Sequence, residues 1–258
     1  MFDWQTNLVA YKTIVVREVL RFMRIWVQTI TPPAINALLY MLIFGSLIGS
    51  QLREMGGHPY IDFIVPGLIM MAVIVSSYSN VVASFFSAKY QHHIEEMLVA
   101  PIHNATLVAG YITGGVCRGL IVGLLVSVVS LFFTRLVPEH LFITILVTVA
   151  TAVLFSLGGL INAVFARSFD DTSIITNFVL TPLTYLGGIF FSIEFLPEFW
   201  QKVSLLNPVL YMINGFRYGI LGSSDISIGV TFTVIFGLII ILGAIVMYLL
   251  NKGIGIKQ

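Results

Sequence analysis

His92, His93, Glu95 and Glu96 form the densest group of titratable side chains in the sequence. A metal site needs donors that converge on one point, yet adjacent residues of a helix point about 100° apart. His92 shares a face with Glu95 and Glu96 at spacings of three and four, and His93 does not. This group therefore reads as a solvated or partner-docking face, together with Lys89 and Gln91, and no metal is expected. His58, His103 and His140 stand apart from it. No G-x-x-x-x-G-K-[S/T] phosphate loop occurs, and no Ser/His/Asp or Cys/His arrangement stands out. The lone cysteine, Cys117, sits in an apolar run. The chain is expected to be non-catalytic by itself and to bind no cofactor.

Three further groups are polar where polarity is costly. Arg118 is the only charge between residues 97 and 134. A charge at membrane depth must face protein or water. It reads either as a pathway or gating charge, or as a structural group held by an ion pair or by carbonyls. Ser76, Ser77, Tyr78, Ser79 and Asn80 interrupt a second apolar run, where each reads as a helix–helix hydrogen-bonding group or as a residue facing a polar pathway. Asn177, Thr181 and Tyr185 share one helical face in a third. Ser76, Ser77, Asn80, Asn177, Thr181 and Tyr185 are candidate lining residues of a polar pathway.

The elements that must hold these groups follow from composition. Of 258 residues, 58% are hydrophobic and only 10% charged, against ~25% in an ordinary soluble domain. Too little polar surface exists to cover a water-soluble globule. Thirteen Lys and Arg against twelve Asp and Glu leave no basic excess for nucleic acid. No Asp, Glu, Lys or Arg occurs in 25–52, 63–88, 140–166, 172–193 or 226–251. About 20 apolar residues cross the ~30 Å hydrocarbon core as a helix. Six spans are therefore expected, at 25–48, 60–86, 105–133, 141–166, 172–191 and 228–250. The fold class is an all-α polytopic membrane protein. Runs such as 122–129 do not alternate, which argues against a β-barrel.

Six spans put both termini on one side. That side carries eight basic residues: Lys12, Arg17, Arg21, Arg24, Lys89, Arg167, Lys252 and Lys257. The other carries four: Arg53, Arg135, Lys202 and Arg217. The positive-inside rule predicts cytoplasmic termini. Residues 1–24 are too interrupted by charge for a signal peptide. Trp4, Leu8, Tyr11, Val15, Val19 and Phe22 recur at helical spacing, which predicts an amphipathic helix at the interface.

Pro32-Pro33 is expected to kink the first span. Gly56-Gly57 reads as a turn in the first external loop, and Gly45 and Gly49 as a small-residue pair. Gly110 and Gly114, and Gly115, Gly119 and Gly123, repeat every four residues and predict a tight seam on the third span. Asp170 and Asp171 suit the N-terminus of the fifth span. The stretch 192–221 is too apolar for a loop and too short to cross twice. Two short re-entrant helices, packed as a plug over the spans, are predicted there.

Phe22-Met-Arg-Ile-Trp-Val-Gln28 with Pro32-Pro33, Phe63-Ile-Val-Pro-Gly-Leu-Ile-Met-Met71, Ile94-Glu-Glu-Met-Leu-Val-Ala-Pro101, Leu180–Gly188 and Leu206–Arg217 appear in one order over the whole chain. In these segments the chain resembles the integral-membrane subunit of ABC-2 type exporters. Asn207, Pro208, Tyr211 and Arg217 match the family signature. The resemblance implies a single domain over 1–258, with 1–24 as an interfacial connecting helix, 87–100 as a cytoplasmic coupling helix and 192–221 as external re-entrant helices at the gate. It implies a homodimer of this chain in a bacterial inner membrane, above two copies of a separate ABC ATPase that binds ATP and Mg2+. Lys89, Gln91, His92, His93, Glu95 and Glu96 would contact that ATPase. The cargo would be hydrophobic or amphipathic, of drug, lipid or glycan class. A secondary transporter or channel is the competing reading. It predicts internal repeats and mid-span acids, and neither is seen.

Overall fold

The computed structural model describes residues 4–49, 54–135 and 137–255. Arg53 and Lys257, counted above for orientation, lie outside the described residues. The chain is predominantly helical, with one two-stranded hairpin. Among the described residues five helices are long and apolar enough to cross a membrane: Trp26–Gly45, Tyr60–Tyr90, Asn104–Ser130, Leu141–Phe165 and Ile228–Lys252.

Helix α1 (Trp4–Arg24) leads into a broken first span, α2 (Trp26–Thr29) and α3 (Thr31–Tyr40), extended by a wider π-helical stretch over Met41–Ile48. The interruption falls at Ile25 and Ile30, where the hydroxyl of Thr29 donates to the carbonyls of Phe22 and Ile25. Pro32 and Pro33 therefore sit in the first turn of α3, where a missing N–H costs little, rather than mid-helix. Strands β1 (Glu54–Met55) and β2 (His58–Pro59) pair antiparallel around Gly56-Gly57. Both glycines have positive φ, +60° and +78°, the conformation that a two-residue hairpin turn demands.

Helix α4 (Tyr60–Tyr90) is the centre of the molecule and packs on α6 (Asn104–Ser130) and α7 (Leu141–Phe165). Its 31 residues reach about 46 Å, so it overhangs the ~30 Å core. Between α4 and α6 lies the short α5 (His93–Val99). The glycine ladders of α6 explain the close packing. A Cβ on Gly110 or Gly114 would stand 2.6 Å from Ile14 or Glu18 of α1. On a second face, Gly115 and Gly123 meet Val81 and Val73 of α4 at 2.7 and 2.6 Å. One helix thus carries two seams, one per neighbour. The pairing of Gly45 is with Ile61 of α4.

The predicted fifth span is less regular. Helix α8 (Phe169–Ile175), a π-helical stretch (Thr176–Leu180) and α9 (Thr181–Tyr185) follow one another. With seven, five and five residues they reach about 25 Å, short of the hydrocarbon thickness. Pro182 lacks an N–H, and the hydroxyl of Thr181 donates to the carbonyl of Thr176 at 2.9 Å across the widened turn. Ser168 and Asp171 close a reciprocal capping box at the start of α8.

The stretch after α9 holds a 3-10 turn (Ile193–Phe195), α10 (Glu198–Ser204) and α11 (Pro208–Leu221), before α12 (Ile228–Lys252) ends the described chain. Only α11 is buried, against α7, α12 and α4. Phe195, Phe199, Trp200 and Leu206 stay exposed, so the packing expected of the whole stretch holds for its second helix alone. Both ends of the described chain meet one end of the bundle. Asn7 accepts from the amide of His103 at 2.9 Å, and Asn104 donates to Asn251 at 2.8 Å.

Candidate functional site

The helix α1 is not a loose amphipathic anchor. The positions buried on it are Asn7, Ile14, Glu18 and Phe22, whereas Trp4 and Leu8 of the predicted apolar face are exposed. Glu18 is 0% exposed and is held by Ser84 at 2.6 Å and by Arg17 and Arg21, each at 3.3 Å. Arg21 also donates to the side chain of Asn80 at 2.9 Å and to its carbonyl at 3.1 Å. Arg17 donates to Tyr111 at 2.7 Å. A buried carboxylate is tolerated when it is paired and hydrogen-bonded. This network binds α1 to α4 and α6. Sequence reading missed Glu18. Its spacing of three from Arg21 and of four from Phe22 and Ile14 was the available signal.

The candidate lining residues separate into two environments. Ser76, Ser77 and Asn80 are buried inside the subunit, Ser77 beneath Gly115 and Gly119 and Asn80 against Arg21 and Gly114. Asn177 is exposed, and Thr181 and Tyr185 are half-buried. The open face of α4 is instead the stripe Met71, Val75, Ser79 and Ala83, beside the buried Leu68. Its upper part lines a cavity of about 270 Å3 shared with Gln28, Pro32, Asn36, Tyr40 and Arg118. Its lower part lines one of about 230 Å3 shared with Thr172, Thr176 and Asn177. The stripe thus opens between the first span and the α8–α9 segment. The hydroxyls of Tyr40 and Tyr185 touch across that opening, beside the rings of Phe44 and Phe190.

Arg118 donates from Nη2 to the carbonyl of Thr29 at 3.0 Å.

In the segment 87–100, residues up to Tyr90 belong to α4, and the chain turns at His92, which has φ +60°. Lys89 donates to the carbonyls of Val164 and Ala166 at 2.6 and 2.9 Å. Its cation sits on the C-terminus of α7, where it complements the helix dipole. Lys89 is therefore placed inside the subunit's frame. Gln91, His92, His93, Glu95 and Glu96 are all exposed, while Ile94 is buried and anchors α5. His92 reaches Glu95 at 3.2 Å.

At the opposite end, Asn207 caps α11 by accepting from the amide of Val209 and donates to the carbonyl of Leu183 at 2.7 Å. Pro208 fills the first helical position, and Tyr211 donates to the carbonyl of Leu205 at 2.8 Å. Arg217, 2% exposed, donates to Gly188. Asn207 and Arg217 therefore fix α11 to the end of α9 and the turn after it, while Tyr211 ties it to the end of α10.

A bundle of apolar spans, with an exposed polar helix at the end where Asn7 and Asn251 meet α6 and a capped, buried helix at the other, is the frame of a transport permease. The chain belongs to the ABC-2 type transporter family, whose model matches residues 9–221. It is 53% identical over 250 residues to the inner membrane transport permease YadH of Escherichia coli strain K12, covering 97% of this chain and 98% of the relative. It is 23% identical over 227 residues to nodulation protein J of Rhizobium meliloti strain 1021, covering 88% and 82%. The chain is a multi-pass membrane protein with a transport permease role, the membrane component of an ABC transporter.

Proposed function

We propose that this chain is the homodimeric membrane half of an exporter in the bacterial inner membrane, driven by two copies of a separate ABC ATPase. Both termini face the cytoplasm. The α8–α9 segment, with residues 186–191, completes a sixth crossing. The cargo is hydrophobic or amphipathic, moving between two subunits along the α4 stripe (Met71, Val75, Ser79) and the facing Asn177, Thr181 and Tyr185.

The observation that carries this reading is the exposure of α5. Gln91, His92, His93, Glu95 and Glu96 extend from the bundle with no partner inside it beyond local contacts, and Ile94 roots them under α4. Such a helix is a handle. ATPase closure pulls it, and Lys89 passes the pull to α7 through the Val164 and Ala166 carbonyls. Packed helices then shift as rigid bodies between two arrangements. The π-helical stretches at Met41–Ile48 and Thr176–Leu180 are the deformable parts. Residues 192–221 form the external gate, with α11 fixed by Arg217 and α10 presenting Phe199 and Trp200 outward.

Purification of the tagged chain in mild detergent tests the reading. A soluble ABC ATPase should accompany it at one copy per chain. A permease that transports in its absence would refute the proposal.

A further inference from the structure

Arg118 carries a charge that no acidic side chain among the described residues pairs with. It lies twelve residues before Ser130, the end of α6, and so about 18 Å into the span at ~1.5 Å per residue. Nη2 meets a neutral carbonyl, that of Thr29, and the buried Nε has no partner among the described residues. The charged side chain that acts on it is a second cation, Arg21. Arg21 shares the carboxylate of Glu18, which Arg17 also contacts, and among the described residues no carboxylate is left over for Arg118. An unpaired guanidinium at this depth is expensive unless an anion joins it.

The cavity beside it has room for one. Its volume is about 270 Å3, larger than a phosphate group needs. Gln28 and Asn36 offer amides, Tyr40 a hydroxyl, and Leu68, Met71 and Val75 an apolar wall. Polar side chains of the first span and Arg118 thus share one cavity with the apolar wall of α4.

We infer that this cavity binds the acidic headgroup of an amphiphile, a phosphate or carboxylate on an acyl chain, with Arg118 as the anion-binding residue and the α4 wall against the chain. The shared chemistry is the anion, and a lipid headgroup or a free phosphate would both supply it. The apolar wall selects the amphiphile. This site stands independently of whether an ATPase drives the protein.

Native mass spectrometry of the purified chain in detergent tests it, with phosphatidylglycerol, phosphatidylcholine of the same acyl chains, and inorganic phosphate as probes. Phosphatidylglycerol should be retained over phosphatidylcholine. Arg118→Met should weaken that retention by roughly ten-fold, the worth of one charge-assisted hydrogen-bonded contact, and Arg118→Lys should restore part of it. Asn36→Asp, at an exposed position that leaves Arg118 in place, should lose the preference as well. Equal retention of the two lipids, or unchanged preference in the folded Asn36→Asp and Arg118→Met variants, would overturn the site. Displacement of phosphatidylglycerol by millimolar inorganic phosphate would overturn the amphiphile in favour of a soluble anion.

Discussion

Arg217 on α11 donates from Nη2 to the carbonyl of Gly188 at 2.7 Å, with its guanidinium carbon 3.8 Å from the centre of the Phe63 ring. Gly188 has φ +78°, a left-handed turn that presents its carbonyl to α11. A single side chain therefore joins three pieces: α11, the turn after α9, and the outer end of α4. Arg217→Ala should cost about 3 kcal/mol or more, because it removes the bond and empties a packed site. Arg217→Lys should recover only part, since an ammonium cannot stack as a planar guanidinium does. Thermal unfolding in detergent, followed by tryptophan fluorescence, reads both. An alanine variant as stable as the parent would refute the clamp.

The glycine ladders predict an asymmetry along the chain. A Cβ on Gly115 would crowd Ser156 and Val81, so Gly115→Leu should destabilise by ~2 kcal/mol or more through overpacking. Gly237 on α12 has nothing within 4 Å, and Gly237→Ala should be neutral or stabilising by up to ~1 kcal/mol. The same unfolding assay distinguishes the two. Equal effects would mean that α6 is not packed as described.

Those ladders were legible in the sequence because a repeat of four is a geometric statement about one helix face. The charge-free gaps were equally legible, since length alone decides what crosses a bilayer. Glu18 was not: a carboxylate beside Arg17 reads as a solvated surface ion, and its burial depends on Ser84 and Asn80, more than sixty residues away. Ser76 and Ser77 are ambiguous in the sequence for a related reason. Polarity in a span marks a pathway or a packed seam alike, and only the position of Gly115 and Gly119 opposite them settles which face they occupy. The irregularity of the α8–α9 segment was hidden because π turns leave no periodic signature in 172–191.

Glu18 should behave as a neutralising hub rather than a surface ion. Glu18→Gln leaves Arg17 and Arg21 without a carboxylate, and a loss of about 2 to 4 kcal/mol is expected. Adding Arg21→Gln should recover part of it, a non-additivity that a double-mutant cycle measures. Strict additivity would show that the pair is not coupled.

The start of α8 should be acid-sensitive. The amide of Arg167 and then the hydroxyl and amide of Ser168 hold the Asp171 carboxyl below its ordinary range. A depressed carboxyl favours the folded cap fully above its ordinary range, and that contribution is lost as pH falls through the lowered value. Hydrogen exchange of the segment 167–175, corrected for intrinsic rate, should lose protection in acid. Asp171→Asn should already show the reduced protection at neutral pH and change little with acid. Identical acid profiles for the two proteins would exclude the cap as the cause.

The exposed helix α5 is where a motor would grip. Val99, 86% exposed at its end, carries a photo-crosslinking residue without disturbing the core. In native membranes, light should join Val99 to a nucleotide-binding subunit, and combined Glu95→Lys and Glu96→Lys should reduce that adduct at least several-fold while the unfolding temperature holds. An active permease whose α5 yields no adduct with any ATPase, or whose adduct is indifferent to both charge reversals, would contradict the assignment of α5 as the coupling element.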